Sequence, residues 1–313
     1  MEYQDVALID SNYTLMLFCL LYPGKVDSTL FIVSSGVTKN VHSKLNNCLY
    51  LPDSNYQNFK KIREIFRNLR LMFSLTVYQL RKTKNIHFYG QDHAWYSFIG
   101  RNKPFTLLED GLDNYVRAPS TGIKRKLLSY FGIPYLEMGR SLNISDIQLT
   151  GILPIPEDIK DKVTILDIKK IWEKLDQKEK DFISHLYIAK EQLCQITNLQ
   201  CENAALILTQ PLNQDGIISE DDKTNSYYKA VMSCGLTEVY VKKHPRDTTS
   251  YSKYGWLDLG FSNTPIELLL LMGLNFKKVI TYNSTAIYRF PASNRVVIKN
   301  NFDFELKKNK EEF

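Results

Sequence analysis

The apolar residues of the chain fall into two rhythms. Short unbroken runs, Val6-Ala-Leu-Ile9, Leu30-Phe-Ile-Val33, Cys48-Leu-Tyr-Leu51, Ile86-His-Phe-Tyr89 and Phe105-Thr-Leu-Leu108, have the length and composition of strands in a parallel sheet. Between them, apolar positions at three- and four-residue steps predict helices: Tyr13 to Tyr22, and a long one from Asn58 to Lys82 with Phe59, Ile62, Phe66, Leu69, Phe73, Val77 and Leu80 on one stripe. A second alternating series follows. Ala205–Leu208, Val239–Val241, Lys278–Tyr282 and Val296–Ile298 read as strands. Lys223 to Cys234 reads as a helix stopped by Gly235, and Pro265 to Met272 as a helix with proline at its start. In between, Leu153-Pro-Ile-Pro156 interrupts the chain, and 168–174 and 177–187 mix charges like solvated helices. The pattern predicts an α/β protein of two Rossmann-like domains facing a cleft. Residues 1–155 form the first; residues 156–313 supply a helical connector and the second.

Composition narrows the class. With 313 residues, 44% hydrophobic and 24% charged, the chain has enough apolar content for two cores and is neither fibrous nor disordered. Five scattered cysteines without a CxxC pair argue against zinc and against a disulfide framework, and fit a reducing cytoplasm. The acidic start Met1-Glu-Tyr-Gln-Asp is unlike a signal peptide, and the run Leu15–Tyr22 is too short to span a bilayer. The expected place is the cytoplasm, with at most a peripheral position on the inner face of the membrane.

The net charge of +6 is concentrated in one place. Lys60, Lys61, Arg63, Arg67, Arg70, Arg81, Lys82 and Lys84 stand against Glu64 alone, so this segment accounts for the whole surplus. Two readings stay open: a packed helix with a solvated basic face, or a contact with anionic lipid or a phosphorylated, lipid-linked acceptor. No nucleic-acid motif accompanies the charge, so nucleic acid is not expected as a partner.

Candidate chemistry sits just after predicted strands, where open α/β sheets place their ligands. Leu108 leads into Glu109-Asp110-Gly111; a carboxylate there suits general-base work on a hydroxyl, and Gly111 lets the chain turn away. Val241 leads into Lys242-Lys243-His244-Pro245-Arg246. The proline keeps His244 out of helical backbone, and the bases around it suit a phosphate. Thr281-Tyr-Asn283-Ser284-Thr285 ends a strand in small hydroxyl residues, either an anion site or a plain helix cap. Leu208-Thr-Gln210-Pro211 leads toward Asp215, with Gln210 as a ligand-binding candidate or the whole as a connecting loop. No GxGxxG, Walker, GxSxG or DxD pattern is present at these ends, which disfavours dinucleotide, P-loop, hydrolase and metal-dependent transfer chemistry.

In this order, Glu109-Asp110-Gly111, His244-Pro245 and Ser284-Thr285 resemble the [D/E][D/E]G, HP and Ser-containing motifs of the bacterial sialyltransferases of glycosyltransferase family 52. The resemblance extends to His244-Pro-Arg246 and Leu206-Ile-Leu-Thr-Gln-Pro211. It implies a GT-B-like fold, CMP-sialic acid as donor, inversion, no metal or other cofactor, and a terminal galactose of lipooligosaccharide or capsule as acceptor. It also implies a homodimer. Carried over, His244, Ser284 and Thr285 hold the CMP phosphate, with Gly111, Gln210, Lys243, Pro245, Arg246 and Asn283 lining the donor site, while the base is Glu109, Asp110 or Asp215. Two other outcomes remain open: a different nucleotide-sugar donor on the same fold, and a non-catalytic nucleotide- or glycan-binding protein.

Overall fold

The apolar runs become the inner strands of two parallel sheets in the computed structural model, which describes residues 3–53, 60–116, 122–135, 137–199 and 201–298. Two compact units emerge, residues 1–193 and 194–313.

The first unit opens with β1 (Asp5–Ile9) and α1 (Asn12–Leu21), then β2 (Leu30–Val33), α2 (Lys39–His42) and β3 (Cys48–Tyr50). Next come α3 (Lys60–Met72), α4 (Leu75–Lys82), β4 (His87–Gly90), β5 (Phe105–Leu108), α5 (Asp113–Val116) and α6 (Ile123–Ser129). The unit continues with β6 (Ile144–Leu149), β7 (Val163–Ile165), α7 (Ile168–Lys174) and α8 (Gln177–Tyr187), and α9 (Lys190–Asn198) spans the passage to the second unit. Its strands lie in the order β3-β2-β1-β4-β5-β6-β7, every pairing parallel. Ala7 on β1 faces Phe31 on one side and Tyr89 on the other, so the chain reverses its direction of winding between β1 and β4. Ligands collect outside the strand ends at such a switch point.

The connector belongs to this first unit and not, as the sequence pattern suggests, to the second. Helix α1 is buried from Thr14 to Leu20, too apolar to have a solvated side. Helices α7 and α8 pack against it, with Tyr187 donating to the Asn12 carbonyl at 3.0 Å.

The second unit contains β8 (Ala205–Leu208), α10 (Glu220–Cys234), β9 (Val239–Lys242), β10 (Leu257–Asp258), α11 (Ile266–Leu271), β11 (Lys278–Thr281) and β12 (Arg295–Val297). Their parallel order is β10-β9-β8-β11-β12, with its own switch point between β8 and β11. Helix α10 is built as its sequence directs. Ser219 caps its start, three acids fill the first turn, and Gly235 closes it at φ 63°.

The long basic helix is two helices. Ser74 stops α3 and caps α4, its hydroxyl accepting from the Val77 amide. Its expected first positions, Asn58 and Phe59, lie outside the described residues. Val77 and Leu80 are buried as the stripe predicts, but Ile62, Phe66 and Phe73 are exposed. Among the described residues no helix is long and apolar enough to cross a membrane.

Candidate active site

In the first unit, the ends of β1, β4 and β5 gather Asp10, His93, Glu109 and Asp110. The two adjacent carboxylates do different jobs. Glu109 is fully buried and accepts from Tyr13 Oη (2.9 Å), Tyr115 Oη (2.6 Å), the Thr150 amide (2.6 Å) and the Thr150 hydroxyl (2.7 Å). It ties β5 to the chain leaving β6 and has no face left for a substrate. Asp110 points the other way. It accepts from Ser11 Oγ at 2.8 Å, lies 3.1 Å from Nε2 of His93, and keeps about a fifth of its side chain exposed (19%). Its own amide donates to Asn114 Oδ1 at 2.7 Å, and Gly111 follows at φ 115°, backbone that favours glycine.

Asp10, which the sequence analysis did not single out, is the first residue past β1. Its amide donates to the Oε1 of buried Gln91, which comes from the end of β4, and the Tyr96 hydroxyl closes on the neighbouring Ile9 carbonyl at 2.7 Å. Gly36 packs so closely on the Asp10 carbonyl that any Cβ there would collide with it. Burial pushes the Asp10 carboxyl up to about 7, the negative charges of Asp53 and Asp110 add to this, and His93 opposes it. A carboxyl that titrates near neutrality is suited to taking a proton from a hydroxyl. The signal was present in the sequence, since Asp10 follows a strand just as Glu109 does.

In the second unit, the ends of β8, β9 and β11 bring together Thr209, Gln210, His244, Arg246, Asn283, Ser284 and Thr285. The His244 amide donates to Thr209 Oγ1 at 3.0 Å, which pins the histidine to the end of β8. The Arg246 amide donates to Nδ1 of His244 at 3.1 Å. A ring nitrogen that accepts carries no hydrogen, so the neutral ring holds its proton on Nε2. Burial pushes the His244 imidazole down, and Arg246 adds to this, which favours that neutral ring.

Behind the loop lies a buried ion pair, Lys223–Asp247, at 2.8 Å with both side chains fully covered. Lys223 also reaches Asn213 Oδ1 (2.6 Å) and Thr249 Oγ1 (2.9 Å), while Tyr251 donates to Asp247 at 2.9 Å. Burial works against ionisation of Asp247, yet bonds from Lys223, Thr209, the Thr249 amide and Tyr251 hold its carboxyl below the usual range. Neither residue was singled out from sequence, because the pair depends on α10 folding back on β9.

Arg246 makes a two-toothed pair with Asp215 at 2.7 and 3.3 Å on the surface. Asp215 therefore sits with the phosphate-suited residues of the second unit, engaged by a guanidinium. Lys243 lies 3.7 Å from Asp258, and Gln210 offers its carbonyl to Lys223 at 3.5 Å. Ser284 opens a 3-10 turn (Thr285–Arg289), shorter than the helix the sequence suggests; its amide bonds the Thr281 hydroxyl, which donates to the Leu208 carbonyl. The Ser284 hydroxyl makes no cap bond to this turn.

Two Rossmann-like units in tandem, each with polar groups at its switch point, are the GT-B construction of nucleotide-sugar enzymes. The chain belongs to glycosyltransferase family 52, whose sequence profile matches residues 37–300. It is 31% identical over 267 residues to an uncharacterized protein of Haemophilus influenzae, covering 80% of this chain and 85% of that one. Among solved structures it resembles the 2,6-sialyltransferase of Photobacterium sp. JT-ISH-224, determined with the donor product CMP and the acceptor lactose. There the TM-score is 0.60 at 11% identity, over 93% of this chain and 70% of that one. It also resembles the α2,3-sialyltransferase of Photobacterium phosphoreum (TM-score 0.61, 13% identity, 94% and 89% covered). A UDP-GlcNAc 2-epimerase of Neisseria meningitidis shares the fold at TM-score 0.53, with 11% identity and 95% and 82% covered. At these identities the likeness establishes the fold alone; the family match makes the chain a glycosyltransferase.

Proposed function

We propose that this glycosyltransferase moves sialic acid from CMP-sialic acid to a terminal galactose hydroxyl of a bacterial surface glycan, lipooligosaccharide or capsule, with inversion and without a metal. The observation that carries the reading is the His244 arrangement. Its Nε2–H is left as a hydrogen-bond donor by the Arg246 amide on Nδ1; Lys243 and Arg246 follow the same strand, β9, and Ser284 and Thr285 follow β11 of the same sheet. That set suits one phosphate. The fold likeness to a sialyltransferase solved with CMP supports the same donor.

In this mechanism the acceptor oxygen attacks the anomeric carbon of the sialyl group, and the bond from that carbon to the phosphate oxygen breaks. The electron pair leaves on CMP. A phosphate monoester is a weakly basic leaving group, so it needs hydrogen bonds and positive charge more than a full proton. One well-placed donor at a developing oxyanion is worth about 3–4 kcal/mol. The acceptor proton goes to a carboxylate of the first unit, which we assign to Asp10, with Asp110 and His93 setting its field. Glu109 holds the frame and Asp215 holds Arg246.

A panel of CMP-sialic acid, UDP-galactose and UDP-N-acetylglucosamine with a galactosyl acceptor tests the donor. Turnover of the CMP donor alone supports the reading. Turnover of a UDP-sugar alone keeps the fold and removes the donor, and binding without turnover of any donor makes the chain a binding protein.

A further inference from the structure

The strand-end site of the second unit contains an ion pair that its frame does not require. Two loops meet there, 209–218 after β8 and 243–251 after β9. They are tied by Gln214 Nε2 donating to Thr248 Oγ1 (2.9 Å), by Asn213 Nδ2 donating to Thr249 Oγ1 (3.4 Å), and by buried Lys223, which bonds both Asn213 and Thr249. Outside these ties lies the Asp215–Arg246 pair, with 36% and 63% of the two side chains exposed. Among the described residues neither charged group makes another hydrogen bond.

The backbone on both sides of the pair is fixed. The Asp215 amide donates to the Pro211 carbonyl at 2.9 Å. The Arg246 amide is held by His244 Nδ1 at 3.1 Å, and the Asp247 amide by the His244 carbonyl at 2.8 Å. The Arg246 side chain can therefore change partner while its loop stays in place. An ion pair this exposed is weak, so a phosphate can displace the carboxylate.

The reaction gives that exchange a use. The phosphodiester of CMP-sialic acid carries one negative charge, whereas the monoester left after transfer carries about 1.5 to 2. Every fixed cation at the site thus holds the product harder than the donor. A carboxylate within reach of the cation offsets this.

We propose that Asp215 is a positioning residue for Arg246: it yields the guanidinium to the incoming nucleotide phosphate and reclaims it as the product departs. The inference rests on the reading that a nucleotide phosphate sits against His244; it does not depend on which base that nucleotide carries.

The test is calorimetric titration of wild type, Asp215→Ala, Arg246→Gln and the double variant at about 0.1 M salt. The probes are CMP, UMP and, as the uncharged control, cytidine. Asp215→Ala should bind CMP about two- to fivefold more tightly than the wild type, bind cytidine no more tightly, and release CMP correspondingly more slowly in stopped flow. Arg246→Gln should bind CMP about tenfold more weakly. Adding Asp215→Ala to Arg246→Gln should then change CMP affinity by less than about twofold. All three variants should melt within a few degrees of the wild type, since the pair lies at the surface. Unchanged or weaker CMP binding by Asp215→Ala overturns the proposal. So does equal tightening with and without Arg246, which makes Asp215 a source of plain repulsion, or equal tightening of cytidine. If UMP binds in place of CMP and follows the same pattern, the exchange stands and the CMP donor falls. No binding of either nucleotide by any variant overturns both.

Discussion

The Arg246 amide donates to Nδ1 of His244 at 3.1 Å, and this one bond decides what the histidine can offer. The proton of the neutral ring is on Nε2, and the imidazole pKa is lowered by burial and by Arg246. His244 thus serves as a hydrogen-bond donor at neutral pH without first being protonated. Adding a second proton would displace the Arg246 amide. His244→Gln, which keeps an N–H donor at a similar reach, should retain about ten times more turnover than His244→Ala. Equal loss in the two would mean that the ring acts by charge or shape instead. Steady-state release of CMP measures both.

The pH dependence should come from Asp10. With its carboxyl near 7, turnover of the wild type should rise through that value and then level, and Asp10→Asn should lose about 10²–10⁴-fold together with this limb. Stability moves the other way. A carboxyl raised from 3.8 to about 7 stabilises the fold only while it is protonated, and that contribution is lost as pH climbs through 7. Asp10→Asn should therefore gain melting temperature over the wild type from about pH 4 upward, levelling above 7 at about 3–6 °C. A melting difference that does not change with pH would contradict the raised carboxyl.

Glu109 and Asp110 should separate cleanly. Every Glu109 oxygen is met by donors, so Glu109→Gln turns one acceptor into a donor facing a donor and should cost about 2–4 kcal/mol of stability. Asp110→Asn should leave the melting temperature within about 2 °C while lowering turnover at least tenfold, as it alters the field at Asp10. Urea unfolding and turnover on the same samples check the pair.

The Lys223–Asp247 pair carries the loop that holds His244. Lys223→Met leaves a buried carboxylate without its cation and should cost about 3–5 kcal/mol. Lys223→Met/Asp247→Leu should recover part of that stability, because replacing both charges removes the uncompensated one. It should not recover affinity for CMP, since Thr209 and the loop then lose the acceptor that positions them. Calorimetric CMP binding by the double variant reads this out; wild-type affinity would show the pair to be structural only.

Much of the fold was legible because buried parallel strands are continuous apolar runs. All of the strands predicted from such runs are present. Those missed break the rule for a physical reason. β6, Ile144-Ser-Asp-Ile-Gln-Leu149, is only partly buried and interleaves polar residues, while β7 and β10 are short, exposed edges. Periodicity found the basic segment helical, but as one helix where Ser74 makes two, and could not say whether its apolar stripe was covered, since a stripe looks the same against a core or against water. The motif order pointed to the two strand-end clusters, and the family match agrees with the motifs. Apart from Tyr115, six positions from Glu109, the partners of Glu109 and the Lys223–Asp247 pair were not legible, because they join residues 24 to 96 positions apart. Asp10 was legible and passed over: it has no neighbouring carboxylate to draw notice.

The central claim is that a CMP phosphate leaves against His244. The measurement that tests it most directly is CMP release from CMP-sialic acid, with and without a galactosyl acceptor, by wild type and His244→Ala. The account predicts release that the acceptor stimulates in the wild type and that falls about 10²–10³-fold in His244→Ala, with little change in melting temperature. Acceptor-stimulated release that survives His244→Ala, or no release from CMP-sialic acid by the wild type, would contradict it.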